Sequence, residues 1–338
     1  MRKIIIPDEA IARHIAFYAE PLECAIEHAV KTAESSKKSV WCKIKKAHES
    51  GLLLSSKVDD LLKAIEGIGI IDDLKFSAEI QKIASYSQFC AGRHPVVNAS
   101  KKRISWRRNE PVWSKNGYLR LLDVKVCPYC NAELIPILED VQIDGAKKTL
   151  PLVDCDHFYP KDKYPYLALA LANLIPACSV CNERIKRNRI PPYPNGIHPY
   201  ADDFHDLAKI NVMPLKVGAV AGSQNYKDCV WVRFSSRIRG ESKVDEYEKF
   251  LALNTRYEKG YTSVLCGILS KRRQYESIEY RKYILSLLPR TEVAKAIKSD
   301  FGFDLSPEEI NQIQFGKAKI DIMGEVVAGL IRESEQHR

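Results

Sequence analysis

The sequence predicts an α+β protein in which a central segment bracketed by two cysteine pairs stands between mostly helical N- and C-terminal parts. Three observations predict it. Apolar residues at helical spacing fill the first ninety or so positions and return from about Ser242. Two Cys-x-x-Cys pairs stand mid-chain, Cys127-Pro-Tyr-Cys130 and Cys178-Ser-Val-Cys181. Between and after them lie short apolar or alternating runs of strand length, Thr149 to Cys155 and Cys229 to Phe234. The boundaries that follow are 1–115, 116–206 and 207–338.

Composition sets the background. Hydrophobic content of 45% and charged content of 28% are those of a globular chain with a substantial core. No run of apolar residues reaches the length of a membrane span, and the Ile4-Ile-Ile6 run near the start is too short for a signal peptide. Ten cysteines without a secretion signal fit a reducing cytoplasm and zinc rather than disulfides. A net charge of +9 mildly favours a polyanionic partner.

In the N-terminal part, Ile11, Ile15 and Tyr18 fall on one helical face, and Leu22, Ile26, Ala29, Val30 and Ala33 on another, with Pro21 separating the segments. Ser56 with Asp59 resembles a capping box ahead of Leu61, Leu62 and Ile65. Gly67 and Gly69 end that helix, and a further helix is expected from Ala78 to Gln88. His14 and His28 read as ordinary helix histidines. From Asn98 to Trp113 the character changes: Lys101, Lys102, Arg103, Arg107 and Arg108 lie among Trp106 and Trp113. Such a run can neutralise phosphates and stack on bases, or it can be a solvated linker whose tryptophans dock onto the neighbouring domain; both stay open. Tyr118 to Val126 leads, as a short helix or strand, into the first cysteine pair.

The cysteine pairs carry the strongest signal. Zinc takes four ligands in a tetrahedron, and a Cys-x-x-Cys turn supplies two thiolates, so Cys127, Cys130, Cys178 and Cys181 make a closed structural site. Unpaired core thiols are the plain alternative. A redox pair is disfavoured because no βαβ pattern surrounds either pair. The insert between the pairs is far longer than in a simple zinc ribbon and must be structured itself. An acidic, Gly-containing turn lies within Ile137 to Thr149, and Thr149 to Cys155 is apolar enough for a strand. Then come Asp154-Cys155-Asp156-His157-Phe-Tyr-Pro160, the buried-looking run Leu167 to Leu171, Asn173-Leu-Ile-Pro-Ala-Cys178, and Asn182 directly after the second pair. Adjacent residues on a strand point to opposite faces, so one of Asp156 and His157 can hold a cation while the other meets a water. Cys155 reads as buried packing and Asp154 as support for the pair.

This run resembles the HNH (ββα-metal) endonucleases, a family with members among CRISPR effectors and bacterial colicins. The Asp-His pair, then Asn173, then Asn182 just after the second cysteine pair is that family's order of motif residues. The resemblance implies a ββα-metal nuclease unit within 116–206 that hydrolyses phosphodiester bonds in DNA. It implies His157 as general base, Asp156 and Asn182 as oxygen ligands of one Mg²⁺ or Mn²⁺, and Asn173 as the residue holding the His157 loop. Asn182 stands where the family name has its last His, which points to Mg²⁺ or Mn²⁺ rather than Zn²⁺ at the catalytic position; Asn188 is a rival for that place. A zinc module that binds nucleic acid without cutting is the alternative. One such centre cuts one strand, so a double-strand break implies a homo-oligomer or two nicks. RNA stays open as substrate, since nothing here reads a 2′-hydroxyl.

Around this motif, Lys161, Lys163 and Tyr164 can line a phosphate path. The helix expected to run through Asn182 to about Asn188 carries Arg184, Lys186, Arg187 and Arg189, either as a DNA-contact face or as a solvated one. His198, Asp202 and His205 allow a second metal centre, with an ordered loop as the plainer reading. Ile210 to Val217 can pair with Cys229 to Phe234. Beyond it, Phe250, Leu251, Tyr257, Tyr261, Leu265 and Ile268, then Tyr280, Ile284 and Leu287, keep helical spacing to Pro289. Ser306-Pro307-Glu308 starts a further helix, and Lys317 to Gly329 is apolar-periodic. Lys163-Tyr-Pro-Tyr, Asn173-Leu-Ile-Pro and Cys178-x-x-Cys-Asn182 ahead of a helical C-terminal part also resemble bacterial stand-alone HNH proteins. Some of those serve in anti-phage modules of the Septu type, which implies defence against foreign DNA and a partner ATPase.

Overall fold

A computed structural model describes residues 1–97, 104–108, 110–221 and 228–336. Lys101, Lys102 and Arg103 of the basic stretch lie outside the described residues. By their contacts the residues fall into two compact units. One comprises Lys3–Val124 and Ile135–Pro191, the other Met1–Arg2, Lys125–Leu134 and Pro192–Arg338.

The first unit opens with α1, Asp8–Thr32, whose first turn carries Asp8 and Glu9 at the positive end of the helix dipole. Pro21 lies inside this helix rather than between two. It removes one backbone hydrogen bond, but the buried stripe His14, Tyr18, Leu22, Ala25, Ile26 and Ala29 runs unbroken past it and holds the turns together. α1 lies against α2, Ser35–Glu49, which buries Trp41, Ile44 and Ala47. α3, Val58–Ile68, stops at Gly69, whose φ of 88° suits glycine. The expected Ser56–Asp59 box is not the cap. Ser55 bonds the Asp60 carboxylate instead, one position out on either side. α4, Leu74–Ile83, is capped by Asp73, and α5, Tyr86–Cys90, follows separately. The single helix expected over Ala78 to Gln88 therefore breaks at Ala84, whose backbone leaves the helical region.

β1, Arg93–Val97, pairs antiparallel with β2, Ile104–Arg108, placing Arg93 opposite Arg108 and Pro95 opposite Trp106. Trp106 is half-buried, whereas Trp113 is fully buried, so the latter docks into the core rather than offering a stacking face. α6, Lys115–Leu122, follows; its Tyr118 hydroxyl donates to Leu171 O at 3.1 Å. β3, Ile137–Ile143, and β4, Ala146–Pro151, form a hairpin turned at Asp144-Gly145, both with positive φ, as a tight primed turn requires.

The second strand pair carries the motif. β5 is Asp154–His157 and β6 is Leu174–Ala177, antiparallel, with His157 opposite Leu174. The strand expected from Thr149 to Cys155 thus begins later and contains the Asp-His pair. After β6 comes a short π-helix, Val180–Lys186, ending before the Asn188 limit expected for it.

In the second unit, the loop around the first cysteine pair closes on itself through a Val126–Leu134 bridge and a Cys127 N to Glu133 O bond of 2.9 Å. Asn131 pins it: Nδ2 donates to Ile310 O at 2.7 Å, and Oδ1 accepts from Lys317 N at 2.8 Å. Tyr257 donates to Cys130 O at 2.6 Å. After α7, Phe204–Leu207, strand β7, Ala208–Pro214, pairs with β8, Val230–Ser236, whose Val230, Val232 and Phe234 are buried on one face. Helices follow over Lys243–Leu251, Leu253–Gly260, Thr262–Glu276, Ile278–Leu287, Arg290–Phe301 and Gly316–Gln336. Ser306-Pro307 starts only a single 3₁₀ turn, Pro307–Glu309, capped by the Ser306 hydroxyl. The last helix buries the ion pair of Lys317 with Asp321. No described helix is long and apolar enough to cross a membrane.

Candidate metal centre and functional site

Cys127, Cys130, Cys178 and Cys181 are all buried, and their sulfurs lie within 4.8 Å of one another. Four thiolates around zinc at about 2.3 Å stand roughly 3.8 Å apart, so the group has both the donor set and nearly the spacing of a structural zinc site. The backbone prepares the second pair: Cys181 N–H points at Cys178 Sγ (3.4 Å), and Asn182 N–H closes the turn on Cys178 O (3.0 Å). Among the described residues no other group of three or more His, Cys, Asp or Glu side chains stands close enough to hold an ion. The second centre considered for His198, Asp202 and His205 is therefore not formed. Asp202 instead accepts from His198 N and pairs with Lys243 at 3.0 Å, an ordered loop held by its own polar groups.

β5 directs Asp154 and Asp156 to one face and Cys155 and His157 to the other. On the first face the π-helix answers with Asn182 and Lys186. Asn182 Nδ2 donates to Asp154 Oδ2 at 3.2 Å, which orients its amide with Oδ1 turned the other way. Lys186 Nζ lies 2.9 Å from Asp156 Oδ1 and 2.7 Å from His157 O. This lysine is 1% exposed and Asp156 3%. Among the cations expected on a nucleic-acid face, Lys186 is the exception: it is buried, and four methylenes carry its charge inward to pair with the Asp156 carboxylate. Burial lowers the Lys186 pKa, and Asp156 opposes the shift. Arg184 and Arg187 of the same segment are exposed, as is Lys163. Asn188 bonds Asp162 at 3.1 Å.

On the opposite face His157 is buried. Its Nε2 lies 3.1 Å from Ala168 O. A carbonyl only accepts, so Nε2 carries the proton and Nδ1 keeps its lone pair. The Tyr86 ring meets it in a T-shaped contact, centroids 4.5 Å apart at 75°, and Lys161 reaches over the same tyrosine at 5.6 Å. Burial first, then Lys161 and Lys186, pull the His157 pKa down to about 3 against the Ala168 bond, so the ring is neutral at pH 7.

Asn173 is fully buried just before β6. Its Oδ1 accepts from Tyr159 N at 2.7 Å; its Nδ2 donates to Tyr159 O and Leu167 O, both at 3.1 Å. The side chain thus ties the residues after His157 to the loop that carries Ala168. Tyr86 and the true place of Lys186 were not visible in the sequence. A tyrosine among helical residues bears no mark of what it packs against, and Lys186 differs from Arg184 or Arg187 only by where the π-helix turns it.

Comparison of the chain with protein-family models, with curated proteins and with solved structures found no match.

Proposed function

We propose that the chain is a Mg²⁺- or Mn²⁺-dependent phosphodiesterase that cuts DNA, with a zinc-stapled HNH-like centre. The observation that carries this is the placement of His157: its Nε2 is held 3.1 Å from Ala168 O, and it stands on β5 beside Asp156. An imidazole held that way presents an unprotonated Nδ1 and can take a proton from a water attacking phosphorus. Asp156 and Asn182 offer hard oxygens, a donor set that suits a cation which keeps several of its own waters. When bound there, the cation supplies Lewis-acid neutralisation of the phosphate. Asn173 keeps the loop after His157 in register, and Lys161, Lys163, Arg184 and Arg187 supply positive charge for the backbone of the substrate.

The test is cleavage of supercoiled plasmid in Mg²⁺ or Mn²⁺. Wild type should nick, and His157→Ala, assayed below its melting transition with its zinc retained, should lose about 10²- to 10⁴-fold in rate, the usual contribution of a general base. Cleavage that survives the substitution would place the chemistry elsewhere.

One observation favours a second reading, a zinc module that binds nucleic acid without cutting. Lys186 already neutralises Asp156, so the carboxylate does not need a metal for its charge. That reading expects salt-sensitive DNA binding and no product at any Mg²⁺ or Mn²⁺ concentration.

A further inference from the structure

We infer that His14, on the first helix, is a positioning residue for His157 and acts through the loop that joins β5 to β6. The inference rests on His157 being the base of the proposed reaction. Three consecutive backbone carbonyls of that loop are each taken by a side chain. Leu167 O accepts from Asn173 Nδ2 at 3.1 Å, Ala168 O from His157 Nε2 at 3.1 Å, and Leu169 O from His14 Nε2 at 2.7 Å. All three loop residues are essentially without solvent exposure, so these carbonyls have no water to turn to. Leu167 O has a second donor, the Ala170 amide at 3.2 Å, within the loop itself. Ala168 O and Leu169 O take theirs from the two histidines.

Their coupling is covalent. The peptide planes bearing the Ala168 and Leu169 carbonyls meet at the Leu169 Cα, and each plane is rigid. Fixing the second carbonyl restricts the rotation available to the first. The first is the acceptor that decides which ring nitrogen of His157 carries the proton. His14 is itself fixed. Since Leu169 O only accepts, His14 Nε2 is the protonated nitrogen, and Nδ1 accepts the Trp113 indole N–H at 3.2 Å. Tyr18 and Phe89 stack around the ring at 4.8 and 5.3 Å. Burial drives the His14 pKa down to about 4, so this neutral, singly protonated form is the one present near neutral pH. Both of its nitrogens are engaged, which fixes the orientation of the ring.

The experiment uses the full-length, zinc-loaded chain with ¹⁵N-labelled histidine. His14→Phe keeps a buried aromatic ring and removes both hydrogen bonds; His14→Gln keeps one donor and one acceptor. In wild type, the ring nitrogens of His157 should report an Nε2–H tautomer. In His14→Phe that signature should weaken, and kcat for plasmid nicking should fall about 10- to 100-fold with KM unchanged, the scale expected when a reacting group is misplaced by an ångström or less. His14→Gln should restore both readouts to within a few-fold. If His14→Phe does not fold, His14→Leu, which also removes the bond to Leu169 O and keeps an apolar side chain, carries the same two expectations. Unchanged His157 signals in the apolar variant would overturn the inference, as would equal losses in His14→Gln and that variant. If wild type does not cut at all, the proposed function falls, while the nitrogen signals still decide whether His14 orients His157.

Discussion

Replacing Lys186 by Met tests the buried charge at the heart of the site. The substitution keeps an unbranched chain of similar length and deletes the ammonium. In the folded protein that ammonium bonds Asp156 Oδ1 at 2.9 Å and His157 O at 2.7 Å, with both side chains of the ion pair at most 3% exposed. Removing one member of a buried ion pair leaves the other uncompensated and costs about 3–5 kcal/mol. At roughly 2–4 °C per kcal/mol for a domain of some 150–250 residues, the melting midpoint of the zinc-loaded protein in buffer free of Mg²⁺ and Mn²⁺ should drop by on the order of 10 °C. Added Mg²⁺ or Mn²⁺ should then return part of the loss, because a divalent cation on Asp156 replaces the missing charge; at a hundredfold excess over its dissociation constant it restores about 2.7 kcal/mol. The assay is a melting curve of zinc-loaded wild type and variant without and with a Mg²⁺ series. A variant within about 1 kcal/mol of wild type in the absence of Mg²⁺ would refute the assigned importance of the pair. A full loss that no divalent cation relieves would leave the ion pair intact as a structural feature and count against Asp156 as a metal ligand.

Three further outcomes follow from the same geometry. Asn173→Ala deletes an acceptor for Tyr159 N and donors to Tyr159 O and Leu167 O in a fully buried setting, so urea unfolding should show a loss of about 3 kcal/mol or more. Elemental analysis should find one zinc per chain in wild type and close to none in Cys178→Ser, with the variant unfolding at lower temperature because metal binding and folding are coupled. Stability should also fall in acid partly through His14. Its folded pKa of about 4 lies below the unfolded value of 6.5, so the unfolded chain binds the extra proton between them. The stabilisation is complete above about pH 6.5 and is lost as pH falls toward 4, by about 3 kcal/mol in all. The unfolding free energy of His14→Gln should therefore change less between pH 7.5 and 4.5 than that of wild type.

Much of the local architecture was legible in the residues. The Cys-x-x-Cys spacing fits the buried four-sulfur group, because two cysteines three apart can share one turn whatever surrounds them. Alternation at Val230, Val232 and Phe234 marked a half-buried strand, and Gly69 marked a helix end. Misjudgements arose where a local rule met a stronger tertiary one. Pro21 cannot donate a hydrogen bond, yet the apolar stripe on either side of it keeps α1 whole. Ala78 to Gln88 has helical composition, yet the chain breaks at Ala84 and sends Tyr86 against the His157 ring.

Residue spacing alone marked the strand and helix periods and the paired cysteines, since these depend on backbone geometry and on neighbours a few positions away. Tertiary structure alone decided the partners of the long or polar side chains. Lys186 points inward to Asp156 while Arg184 and Arg187 face solvent, and His14 reaches a carbonyl 155 positions on. Burying a charge or a polar nitrogen is unfavourable unless its partner is already in place, and whether that partner is present is settled only when distant segments of the chain pack together.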